Sequence, residues 1–173
     1  MSKIKLPGPA DVIVQSRGYK WWVYLAVAVG TYFTVVDQAG VNIAMPSLSN
    51  HFSLDIPTVQ WVLLIYVLTT SIMFMPFGRL ADIVGRRKVF LLGFVFNIVG
   101  AAIGGFAPLF PMILVGKVIQ GIGVACIQAN ALAIITTAFP DRERGKAIGL
   151  YSTIIGTGLT SGPIIGGLLV NWF

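Results

Sequence analysis

The chain has 173 residues, of which 56% are hydrophobic and only 10% charged, with a mean hydropathy of +0.86. Ordinary soluble domains are roughly one quarter charged, so this composition excludes a water-soluble globular fold and describes a membrane protein. The formal net charge of +6 does not point to nucleic acid, because the basic residues stand at the ends of apolar blocks and form no aromatic-interleaved face.

Residues 1–20 contain Pro7, Gly8 and Pro9 and read as a cytoplasmic N-terminal segment, flexible or lying along the membrane surface, with no cleavable signal sequence. Five apolar blocks follow, at Trp21–Met45, Val59–Phe77, Val89–Ala107, Met112–Phe139 and Ala147–Val170. At about 1.5 Å per residue each can cross a hydrocarbon core of about 30 Å. A bilayer demands that backbone groups bond internally, and blocks of this length and weak alternation are helices, not barrel strands. Lys3, Lys5, Arg17 and Lys20 precede the first span, Arg79, Arg86, Arg87 and Lys88 follow the second, and Arg142, Arg144 and Lys146 follow the fourth. The connections Pro46–Thr58 and Pro108–Pro111 carry no Lys or Arg. The positive-inside rule therefore predicts a multi-pass protein of the cell membrane with a cytoplasmic N-terminus and Trp172 at the outer interface.

The first span ends in VDQAGVNIAMP, Val36 to Pro46, and places Asp37 and Asn42 within an apolar run. A carboxylate inside a membrane helix is costly and is by default a candidate for exchanging protons. The connection after the second span reads GRLADIVGRRK. Gly78 and Gly85 permit a tight reversal, Asp82 can accept from backbone N–H groups or pair with an arginine, and Arg86 and Arg87 supply forked donors. In the fourth span Lys117, Gln120, Gly121, Val124 and Gln128 share one helical face, which in lipid should turn towards a wet cavity or another helix. Snorkelling of Lys117 to the outer surface is the alternative. Counted from Pro46 and Pro111, Asp37 and Lys117 lie at similar depth, roughly 9–14 Å below the helix ends, and are expected to face one cavity. The fifth span carries Gly149, Gly156, Gly158, Gly162, Gly166 and Gly167 on two smooth faces, with a bend expected before Pro163. Cys126 is a small lipid- or core-facing residue. His51 and Asp55, four apart in the outer loop, read as solvated loop residues, and neither a metal-ligand set nor an enzyme's acid, base and nucleophile arrangement appears.

Four of these stretches resemble signatures of the major facilitator superfamily. GRLADIVGRRK is similar to the family's cytoplasmic latch, implying that role for Gly78, Asp82, Gly85, Arg86 and Arg87, although Ile83 stands where the family often has arginine. VDQAGVNIAMP and VQWVLLIYVL, Val59 to Leu68, resemble the fourteen-span drug:proton antiporters, with Ala39 in place of the usual threonine. LVGKVIQGIG is similar to the family's fourth-span motif, but Lys117 replaces arginine and lacks its planar fork. Gly149, Gly158, Gly162, Pro163, Gly166 and Gly167 match the antiporter motif of the fifth span.

The resemblance implies an all-α membrane protein whose residues 21–173 form five helices of an incomplete N-terminal six-helix bundle. It implies part of a proton-coupled exporter of small lipophilic molecules, working by alternating access. Asp37 and Lys117 would couple protons, Asn42, Gln120 and Gln128 would line the path, and no cofactor or metal is implied. The partners would be lipids, protons, an unknown small molecule, and the remainder of the transporter or other membrane subunits. A truncated transporter, a split protein and a non-transporting structural subunit of a larger membrane complex all remain open at this stage.

Overall fold

The computed structural model describes residues 18–172. The N-terminal segment 1–17 and the side chain of Trp172, for which sequence expectations were given above, lie outside what is described. Five helices follow in order: α1 Tyr19–Phe52, α2 Ile56–Val84, α3 Arg86–Gly105, α4 Phe110–Ala138 and α5 Asp141–Trp172. Helices α2 to α5 are each long and apolar enough to cross a membrane. Helix α1 is longer still, but Asp37, Gln38 and Asn42 dilute its apolar run.

The connections are short and chemically determined. Helix α1 does not stop at Pro46 but runs through it to Phe52, so His51 belongs to its last turn, a correction to its placement in a loop. Ser53 ends the helix in the left-handed conformation, φ 53°, and the Leu54 N–H returns to the Ser49 carbonyl at 3.0 Å. Asp55 opens α2 by accepting a 2.6 Å bond from the Thr58 hydroxyl, with Pro57 in the first turn, where a missing N–H costs nothing. The α2–α3 reversal is a single residue, Gly85, at φ 109° and ψ 125°. Gly78 lies inside α2, a turn and a half before its end, and takes no part in the reversal that was ascribed to it. Because Gly85 occupies a region that side chains avoid, Gly85→Ala is expected to cost about 1–3 kcal/mol, readable as a lower midpoint of thermal unfolding. At the far end of α4 the Arg144 Nε donates to the Thr136 carbonyl at 2.8 Å, joining the last turn of α4 to the first of α5.

Helix α4 is the centre of the bundle, packed by α1, α2 and α3, and half of its apolar window is buried. The closest approach is the antiparallel crossing of α3 and α4. A Cβ on Gly123 would stand 2.6 Å from the Gly93 carbonyl oxygen, and one on Gly116 would stand 2.7 Å from that of Gly100. Gly93 and Gly100 are seven residues apart, as are Gly116 and Gly123, so two full turns of each helix present matching backbone surfaces. Helices α1 and α5 run parallel. There Gly158 meets Val35, Gly162 meets Ala39 and Gly166 meets Gly40, each closer than a Cβ allows. The Tyr32–Ser161 hydroxyl pair at 2.8 Å and the Lys20–Glu143 ion pair pin the same two helices.

Only one of the two glycine faces expected on α5 is used within this chain. A Cβ on Gly149 or Gly156 would meet nothing among the described residues, and one on Gly167 only Ile43 at 3.8 Å. Helix α5 is continuous across Pro163, while the Thr160 and Ser161 hydroxyls donate to the carbonyls of Gly156, Thr157 and Gly158. The apolar core gathers at the basic end, where Tyr24, Phe90, Ile127, Ile135, Phe139 and Tyr151 are buried together.

Candidate proton-responsive site

Asp37 lies on the face of α1 that meets α4, and Lys117 and Gln120 lie one turn apart on α4. The spacing of three residues therefore delivers both polar side chains to one point. The Lys117 ammonium is 3.5 Å from Asp37 Oδ2, and the Gln120 amide donates to the same oxygen at 3.4 Å. Lys117 is thus turned to a carboxylate rather than to the surface. Its side chain is 13% exposed, against 40% for Asp37, and Gln120 is buried.

Two cavities border Asp37. One, of about 260 Å³, lies between α1, α3 and α4 and also touches Lys117 and Gln120. The other, of about 390 Å³, lies between α1 and α5 beside Gly40, Gly162 and Gly166. The carboxylate therefore has room for water on both sides, whereas the ammonium touches only the first of these two. Beneath the pair is Tyr66 of α2, a residue that sequence reasoning passed over. Its ring centroid is 5.6 Å from the Lys117 nitrogen, a cation–π distance, and its buried hydroxyl has no hydrogen-bond partner among the described residues. An aromatic inside an apolar run leaves no signal in the sequence that would single it out.

The other expected path residues are placed differently. Asn42 is five residues beyond Asp37, about 140° around the helix, and is exposed. Gln128 lies eleven residues, about 16 Å, along α4 from Lys117. It borders a separate cavity with Gln38, which sequence reasoning also passed over although it directly follows Asp37.

At the basic end, Asp82 accepts from Arg86 Nε at 3.1 Å and Nη2 at 2.9 Å, a forked contact across the Gly85 reversal. Both side chains are largely open to solvent, so the pair is worth at most a few tenths of a kcal/mol to stability. Arg87 and Ile83 are exposed beside it.

The profile of the Major Facilitator Superfamily matches residues 27–173. Among curated relatives, the chain is 31% identical over 154 residues to the riboflavin transporter RibZ of Clostridioides difficile, covering 89% of this chain and 34% of that protein. It is 37% identical over 156 residues to the tetracenomycin C resistance and export protein of Streptomyces glaucescens, covering 90% and 29%. A crystal structure of a bacterial homologue of the human lysosomal transporter Spinster, inward-facing and unoccupied, superposes with a TM-score of 0.78 at 28% identity, covering 89% of this chain and 32% of that one. The chain thus spans about a third of the length of the relatives it matches.

Proposed function

Because the chain belongs to the major facilitator superfamily, we propose that its five helices are one part of a transporter that exports small lipophilic molecules in exchange for protons. The observation that carries this reading is the convergence of Lys117 and Gln120 on a single oxygen of Asp37. The relatives, a riboflavin transporter and a tetracenomycin C resistance and export protein, support small-molecule cargo.

With Asp37 ionised, the carboxylate neutralises Lys117. A proton arriving through either bordering cavity removes that negative charge, and the mostly buried ammonium is left without a counter-ion. An uncompensated buried charge is strongly unfavourable. Relief comes from any arrangement of α1 and α4 that rehydrates Lys117, so protonation favours one conformation over another by the difference in what each does for the cation. Lysine makes a single-point contact where arginine would make a fork, which suits a pair that must break in every cycle. In this reading the basic end faces the cytoplasm, and the Gly78–Arg87 cluster is a latch whose small static energy lets it open. The uncovered glycine face of α5 and the remaining membrane body would be supplied by further sequence or a second chain, against which these helices rock.

The test is movement of riboflavin into inverted membrane vesicles holding the full-length protein under an imposed proton gradient. Asp37→Asn is expected to lower gradient-driven transport by about tenfold or more, equivalent to about 1.4 kcal/mol on the coupled step. Undiminished coupled transport excludes the role assigned to Asp37.

A further inference from the structure

A third cavity, of about 310 Å³, lies between α1, α2, α4 and α5 on the basic side of the ion pair. Its polar wall is Gln38, Gln128, Thr31 and Tyr151, Phe74 adds a second ring, and the rest is aliphatic. Among the described residues no charged side chain borders it. The Thr31 and Tyr151 hydroxyls lie 3.4 Å apart and satisfy each other. Gln38 and Gln128 make no hydrogen bond to another described residue, in contrast to Gln120, whose amide is held by Asp37. Two free amides thus face an otherwise apolar space from opposite helices.

We infer that this cavity is a binding site for an uncharged, flat heteroaromatic molecule with a hydrogen-bonding edge, and that Gln38 and Gln128 determine its specificity. Each amide offers a donor and an acceptor side by side, which matches a ring edge carrying adjacent C=O and N–H groups. The Tyr151 and Phe74 rings supply faces or edges for aromatic contact. The volume is at the lower end of the ~300–1,000 Å³ typical of small-molecule sites, enough for a compact fused-ring system. A cation would have to shed water with no counter-charge in the wall. The one carboxylate nearby, Asp37, is already engaged by Lys117. Acid-to-cation attraction, otherwise the obvious basis for drug recognition, is therefore not on offer here. The inference rests on the exporter reading for its biological purpose, but binding itself can be measured without transport.

The experiment is equilibrium quenching of lumichrome, an uncharged fused tricycle with an imide edge, by the full-length protein in nanodiscs with no gradient, alongside the planar cation ethidium. Lumichrome is expected to bind saturably and more tightly than ethidium. Gln38→Leu and Gln128→Leu should each weaken it about threefold to tenfold, the range of one hydrogen bond. Gln128→Glu, nearly the same shape, should reverse the preference towards ethidium, which a merely misfolded variant would not do. Absence of saturable lumichrome binding, lumichrome binding by both leucine variants as tight as by the unaltered protein, or tighter binding of ethidium by the unaltered protein would overturn the site. Should the glutamine variants behave as expected while Asp37→Asn leaves gradient-driven transport intact, the exporter reading fails and the site stands. Full loss of coupling in Asp37→Asn with unchanged lumichrome binding in the leucine variants has the opposite meaning.

Discussion

Gly123→Leu is expected to be among the most damaging single changes at a helix crossing. Even the first carbon of the new side chain would lie 2.6 Å from the Gly93 carbonyl oxygen and 2.7 Å from the Asn97 nitrogen, both backbone atoms on α3. Backbone cannot rotate aside as a side chain can, so the whole of α3 must move away from α4. That would open the paired contact of Gly100 with Gly116 two turns further on. In a membrane, packing of this kind holds helices together without help from a hydrophobic drive between them. Overpacking a tight core costs about 1–3 kcal/mol and sometimes more, and Gly123→Leu should fall at about 3 kcal/mol or above. Gly145→Ala is the contrasting case, since its Cβ meets nothing within 4 Å among the described residues. Alanine in a helix interior is favoured over glycine by about 0.5–1 kcal/mol, so this variant should unfold slightly later. Thermal unfolding in detergent, followed by tryptophan fluorescence, reads both.

The ion pair should respond unequally to loss of its two members. Asp37→Asn strands an ammonium that is 13% exposed, whereas Lys117→Gln leaves a carboxylate that is 40% exposed and borders two cavities. Breaking a buried pair costs about 3–5 kcal/mol, and the aspartate variant should approach the lower figure, softened by the Tyr66 ring beneath the cation. The lysine variant should stay within about 1 kcal/mol, as for a pair that water reaches. The double variant, neutral at both positions, is expected to recover most of the stability lost in Asp37→Asn and none of the coupled transport. Unfolding midpoints of the three proteins test the first part. Equal losses in the two single variants would mean that the burial of Lys117 does not govern the pair.

The helices could be read from apolar run length, but their ends could not. Composition marks where lipid begins, whereas α1 continues past Pro46 and α5 begins at Asp141 because hydrogen bonding and capping continue in water. Asp37 and Lys117 stood out because charge in an apolar segment is rare, and their facing positions could be anticipated from depth alone. Tyr66, Gln38 and the two glycine pairs of the α3–α4 crossing were invisible for the converse reason. Aromatic, amide and glycine residues are common in such segments, and only the crossing of helices gives them partners. Asn42 shares the span of Asp37 but lies about 140° around the helix and borders neither of the two cavities beside the pair.

Coupling in this mechanism requires Asp37 to exchange a proton in place. Infrared difference spectroscopy of the full-length protein between neutral and acidic buffer reports this through the carbonyl stretch of a protonated carboxyl group, which shifts in heavy water. Subtracting the Asp37→Asn difference spectrum isolates the band of this one acid from those of all other carboxyl groups. The account predicts a carboxyl band that grows on acidification and is missing from Asp37→Asn. A difference spectrum that is identical in the unaltered protein and in Asp37→Asn would contradict it.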